Sequence, residues 1–112
     1  AQVIFTITPP PSANAIWRNV KGRTLKSRVY RQWLKSESWT IATQRKGKTV
    51  EGPCTVVLSM RRPRANADLD NRIKPVLDCL EAGGAIVDDK QVETITAAWA
   101  DHDGCRVEVT QG

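Results

Sequence analysis

No apolar run in this chain approaches the ~18 residues that a membrane-spanning helix needs, so a transmembrane segment is excluded. The opening stretch also lacks a signal-peptide pattern, because Pro9-Pro10-Pro11 follows a single short apolar segment. The three cysteines, Cys54, Cys79 and Cys105, are odd in number and far apart. No pair has the spacing of a metal finger, so a disulfide framework is not expected, a reducing compartment fits, and all three are read as small buried hydrophobes. Aromatic residues are scarce and show no ribonucleoprotein signature, which argues against an RNA-binding module of that type. Repeats, linkers and low-complexity blocks are absent, and 112 residues suffice for one domain, 1–112, with a modest core.

Acidic residues are nearly missing from the first 65 positions, where 13 Lys/Arg face only Glu37 and Glu51. Residues 66–112 reverse the balance, with four Lys/Arg against ten acids, and the whole chain carries +5. A basic half of this kind points to nucleic acid or another anionic surface.

Val3–Ile7 reads as a strand rich in β-branched residues, ended by the prolines. Ser12-Ala13-Asn14 reads as a loop, and Ile16 to Lys26 as a hairpin turning at Lys21-Gly22. Ser27 is placed to cap a helix running to about Gln44, with Val29, Trp33 and Ile41 as its apolar stripe. Lys46-Gly47-Lys48 is an exposed turn and Cys54–Met60 a strand. Ile73, Val76, Leu77 and Leu80 are spaced i, i+3, i+4, i+7, which predicts a second helix with one core-facing stripe. Pro75 belongs in its first turn and Gly83-Gly84 ends it. Glu93–Ala100 and Cys105–Thr110 read as a terminal hairpin joined by Asp101-His102-Asp103-Gly104. The fold class is therefore α+β, or mixed α/β: a small mixed sheet with two helices packed on it.

Within the acidic half, Asp68-Leu69-Asp70-Asn71-Arg72-Ile73-Lys74 packs two aspartates and a lysine into one short stretch, and Asp88-Asp89 follows. Clustered carboxylates repel one another unless a cation offsets them. Asp68 and Asp70 stand at the start of the second helix, where the macrodipole favours negative charge. Asp70 and Lys74, four apart, share a helical face. Asp89 would join them if the chain doubled back after the helix. Oxygen donors in this number suit Mg²⁺, with Mn²⁺ as the alternative. A plainer reading is open beside it: an acidic helix cap, an Asp70–Lys74 salt bridge, and an ordinary turn at Asp88-Asp89.

Asp68-Leu69-Asp70-Asn71, Lys74, Leu77-Asp78-Cys79-Leu80, Gly83 and Val87-Asp88-Asp89-Lys90-Gln91-Val92 together resemble the RusA family of Holliday-junction resolvases. The opening Pro9-Pro10-Pro11-Ser12-Ala13-Asn14, with Trp17-Arg18 and Gly22-Arg23, is similar as well, so the resemblance covers nearly the whole chain. It implies a homodimeric, Mg²⁺-dependent endonuclease of the bacterial or phage cytoplasm, often carried on prophages, that cuts four-way DNA junctions symmetrically in recombination and repair. Its catalytic aspartates carry over to Asp68, Asp70 and Asp89 and its essential lysine to Lys74. Alternatives are a nuclease on flaps or other branched DNA, and a non-catalytic junction-binding protein, which would not need the acids.

The candidate DNA contacts fall into two groups: Arg18, Lys21, Arg23 and Lys26 on or near the hairpin, and Arg61, Arg62 and Arg64 leading into the acidic motif. Trp33 and Trp99 are read as core or interface anchors rather than base-stacking platforms, and His102 as part of a turn rather than a metal ligand.

Overall fold

Alternation of buried and exposed residues builds the central sheet. The computed structural model describes residues 2–12 and 27–112, together with the backbone of 17–20 and 23–26. Its strands are β1 (Gln2–Ile7), β2 (Trp17–Val20), β3 (Arg23–Lys26), β4 (Cys54–Met60), β5 (Val92–Trp99) and β6 (Cys105–Gln111), and its helices α1 (Arg28–Gln44) and α2 (Ile73–Ala82). Four strands form one mixed sheet in the order β1-β6-β4-β5, while β2 and β3 pair separately as an antiparallel ribbon. The expected turn at Lys21-Gly22 and residues 13–16 lie outside the described residues.

One face of the sheet presents Phe5, Ile7, Val56, Leu58, Met60, Val107 and Val109 to both helices, and all are buried. Cys54, Cys79 and Cys105 are buried among them as free thiols. Burial pushes the thiols of Cys79 and Cys105 up to about 12, so both stay protonated and unreactive at neutral pH.

The C-terminal segments depart from the expected hairpin. β5 runs parallel to β4, and β6 pairs antiparallel with β1 on one side and β4 on the other, so β5 and β6 never meet. Burial explains the choice. Every second residue of β6 from Cys105 to Val109 is buried, as a central strand requires, whereas β5 has no buried residue and suits an edge. The Asp-His-Asp-Gly turn is present but crosses the end of β4. There Arg61 pairs with Asp101 at 3.1 Å and Asp103 at 3.3 Å, and the His102 ring bonds Ser59 Oγ at 2.9 Å.

Helix α1 begins as expected, the Ser27 hydroxyl accepting the Tyr30 backbone N–H. Of its expected stripe Ile41 is buried and Trp33 partly so, joined by Tyr30, Glu37 and Leu34, while Val29 is 64% exposed. Val29 belongs to the outer face because its neighbour Tyr30 takes the inward position, packed beside Trp33 and bonded to Asp78. Glu37 tolerates burial because its carboxylate accepts the Thr8 backbone N–H at 2.8 Å and the Ser36 hydroxyl at 2.9 Å. Two turns on, the Gln44 amide makes both hydrogen bonds to the backbone of Thr6, each at 2.9 Å. Side chains of α1 thus occupy the outer edge of β1, whose backbone groups would otherwise offer a pairing template. Replacing Ser27 by alanine should cost about 1 kcal/mol, the usual worth of an N-cap, and lower Tm by roughly 4 °C in a chain of this size. Calorimetry on the single variant checks this.

Candidate active site

The acidic motif enters α2 through one 3₁₀ turn, Asp70–Arg72, with no side chain capping its N-terminus. Asp68 lies just ahead and accepts the Asn71 side-chain amide at 3.3 Å. Both Asp68 and Asp70 are solvent-accessible, and neither forms an ion pair among the described residues. Between them and the core lies Arg72, 8% exposed, whose guanidinium donates to the Pro10 carbonyl at 2.8 Å. Burial lowers its pKa, with Arg64 acting in the same direction and Asp68 opposing. Arg72 thereby ties the polyproline segment to the acidic loop.

The Asp70–Lys74 salt bridge of the plainer reading is not formed. The Lys74 ammonium lies 2.9 Å from Asp78 Oδ1 and 3.4 Å from Asp89 Oδ2. The tighter winding of the 3₁₀ turn rotates Asp70 away from the position that a continuous α-helix would give it. Asp78 is held in turn, its second oxygen accepting the Tyr30 hydroxyl at 2.6 Å. These bonds raise the Lys74 pKa, chiefly the one to Asp78, so the ammonium stays charged at neutral pH.

The Asp88-Asp89 pair divides. Asp88 caps the short turn Asp89–Gln91, accepting the Lys90 N–H at 2.9 Å, while the Gln91 side chain accepts the N–H groups of Val87 and Asp88. Gln91 also donates to the Val50 and Gly52 carbonyls, fixing the turn to the β4 approach. Asp89 is left to face Lys74. The chain therefore does double back after α2, and it delivers Asp89 to the helix that carries the acidic motif. The tighter convergence of Asp68, Asp70 and Asp89 is not formed: among the described residues no three His, Cys, Asp or Glu side chains are grouped closely enough to hold an ion. Like carboxylates repel one another; Asp68 takes the Asn71 amide and Asp89 takes Lys74.

The three arginines after β4 have separate fates. Arg61 is committed to Asp101 and Asp103. Arg62 lies over the Trp99 ring, 5.3 Å from its centroid, and reaches the Ala65 carbonyl. Arg64 is exposed and unpaired among the described residues. The side chains of Arg18, Lys21, Arg23 and Lys26 lie outside the described residues. Both nitrogens of His102 are engaged within its turn and against Ser59.

A family model described as Endodeoxyribonuclease RusA matches residues 6–110. The chain belongs to the RusA family. It is similar to the crossover junction endodeoxyribonuclease RusA of Aquifex aeolicus (strain VF5), 27% identical over 85 residues that make up 75% of this chain and 68% of that protein. Membership makes this RusA-family chain an endodeoxyribonuclease, a hydrolase acting on DNA. Among the described residues no helix is long and apolar enough to cross a membrane.

In this RusA-family chain the structure adds Tyr30, Asp78 and Arg72 to the surroundings of the acidic motif. Asp78 had a signal in the sequence, four residues after Lys74 and in the favourable range for a helical ion pair. Tyr30 and Arg72 had none, since their partners lie 48 and 62 residues away.

Proposed function

We propose that the chain resolves four-way DNA junctions by metal-assisted hydrolysis, with Asp68, Asp70 and Asp89 as the cation's protein ligands and Lys74 acting at the phosphate. The observation that carries this reading is the return of Asp89 to the Lys74 side of α2, which joins the two acidic segments around one lysine. The donor set fits a hard divalent cation, Mg²⁺ or Mn²⁺: all ligands are carboxylates, and Asp68 and Asp70 form no ion pair among the described residues. When bound, such a cation supplies an activated water and charge stabilisation at the scissile phosphate. Lys74 keeps its proton and stands as a compact positive charge opposite the phosphate oxygens. The helical entry at Asp70, which no side chain caps, adds the positive end of the helix dipole in the same place. Arg62 and Arg64, flanking the motif, hold the DNA backbone.

A synthetic four-way junction with separately labelled strands tests this. Paired nicks in opposing strands are expected with Mg²⁺ or Mn²⁺ and none with a chelator. Cutting of flaps but not junctions would change the substrate, and binding without cutting under any divalent ion would make the chain a junction-binding protein.

Junction affinity should fall steeply with salt, as released counterions dictate. Removing Arg64 should reduce the log–log slope by about one for each phosphate that its guanidinium neutralises, and Arg61→Ala should change it less, because Arg61 already has two carboxylate partners. A slope untouched by Arg62→Ala and Arg64→Ala would move the DNA surface to the β2–β3 ribbon.

Two symmetric nicks require two sites, which a two-fold homodimer supplies. Sedimentation should give a species near twice the 12.4 kDa chain mass. A chain that stays monomeric, both free and on junction DNA, would rule out paired resolution. The sheet face opposite the helices carries Ile4 and Val57, both exposed and both in register with Glu108, as apolar surface available to a partner.

A further inference from the structure

Three side chains from two helices form a continuous chain of hydrogen bonds behind Asp89. The Tyr30 ring is fully buried on α1, and its hydroxyl donates to Asp78 Oδ2 at 2.6 Å. Asp78 Oδ1 accepts the Lys74 ammonium at 2.9 Å, and the same ammonium reaches Asp89 Oδ2 at 3.4 Å. Exposure grades along the chain: the Asp78 side chain is 22% exposed and that of Lys74 57%. A surface lysine paired with a neighbouring helical carboxylate is poorly fixed, because both side chains keep their rotamer freedom. Here one partner has lost that freedom, since its second oxygen is gripped from the core.

We propose that Asp78, anchored by Tyr30, is a positioning residue that holds the Lys74 ammonium beside Asp89. Its importance to cleavage rests on the reading above, in which Lys74 acts at the phosphate. The arrangement has a second consequence. Asp89 can give up its longer bond to Lys74 without releasing the lysine, because the shorter bond to Asp78 keeps it in place.

The test uses the full chain labelled with ¹⁵N-lysine. Ammonium protons of a freely exposed lysine exchange with water too fast to be seen, whereas a held ammonium gives a persistent signal, here assigned by its disappearance in Lys74→Gln. That signal should be present in the parent chain, absent in Asp78→Asn and weakened in Tyr30→Phe. On a four-way junction, Asp78→Asn should slow single-turnover cleavage by roughly 10- to 100-fold, the loss expected when an acting group is displaced by about an ångström. Junction Kd and the cooperativity of unfolding should not change, whereas a merely structural link between α1 and α2 would move stability and leave the ammonium signal of the folded protein intact. A persistent Lys74 signal in Asp78→Asn overturns the proposal, as does a parental cleavage rate in a variant that has lost the signal. If Asp78→Asn does not fold, Tyr30→Phe decides: a parental signal and rate there would remove the anchor and overturn the proposal. If the parent itself does not cut junctions, the functional reading fails, while the ammonium signal still decides whether Asp78 holds Lys74.

Discussion

Asp70→Asn and Asp89→Asn should each lose cleavage by on the order of a thousandfold or more, the scale of removing one preorganised group that faces developing charge. Both variants should bind a four-way junction as tightly as the parent or more tightly, because a negative charge facing phosphate is removed. The substitution is isosteric, and the folded core is not involved. Asp70 is exposed and makes no ion pair among the described residues, and loss of the Asp89 charge leaves Lys74 its shorter bond to Asp78. Asp88→Asn serves as an internal control one residue away. Its carboxylate is spent on capping the turn before Gln91, a role that asparagine fills nearly as well, so cleavage should survive. Gel-shift titration and single-turnover cleavage on the same preparations separate binding from chemistry. Full activity in Asp70→Asn would remove the assignment of the site.

Gly83→Ala should be the most damaging small substitution in the fold. A Cβ at Gly83 would lie 2.7 Å from Ile41 Cγ2 and 2.9 Å from the Ser38 backbone carbonyl. The backbone of Gly83 itself is ordinary, so the penalty comes from space rather than from conformation. Ile41 is fully buried and cannot swing aside, and a carbonyl of α1 cannot move without moving the helix. The two helices must therefore separate at this contact. Overpacking of this kind costs about 1–3 kcal/mol, and the upper end corresponds to a fall in Tm of roughly 10 °C in a domain of this length. Thermal unfolding measures it. Since Tyr30 on α1 and Asp78 on α2 are bonded across the same interface, the variant should also cut more slowly in proportion to the shift of α1. A variant with parental Tm would show that the interface can relax around the methyl group.

Much of the local structure was legible because it rests on periodicity. Cys54–Met60 alternates between buried and open positions, and the stripe from Ile73 to Leu80 has helical spacing, so both segments were placed where the structure has them. Ser27 announced α1 through its hydroxyl. Phase was harder. Val29 and Tyr30 are adjacent, both able to face a core, and only packing against Trp33 and Asp78 selects the tyrosine. Topology was harder still: a turn between two extended segments reads as a hairpin, and nothing local says that β4 will insert between them. The acidic motif could be read as a set of residues, but the return of Asp89 toward α2 depended on the chain doubling back, which no local pattern required. The partner of Lys74 could not be chosen locally, because Asp78 becomes the better acceptor only after Tyr30, from another helix, has fixed it.

The position of β6 bears on how the chain comes to be folded in time. This strand, the latest of the described strands in sequence, lies between β1 and β4 and joins two parts of the sheet that no other described strand connects. During synthesis β1, α1, β4, α2 and β5 all leave the ribosome before the piece that closes the sheet. Until it arrives, β4 has one open edge and the inner edge of β1 has no strand partner. Pairings between the first strand and the last are among the most distant in the sequence, and such pairings close slowly. The nascent chain therefore spends its vulnerable interval with an exposed strand edge, and the Glu37 and Gln44 side chains can shield only the other edge of β1. Shortening that interval, by joining β6 ahead of β1 in a circularly permuted chain, should speed refolding without altering the finished sheet.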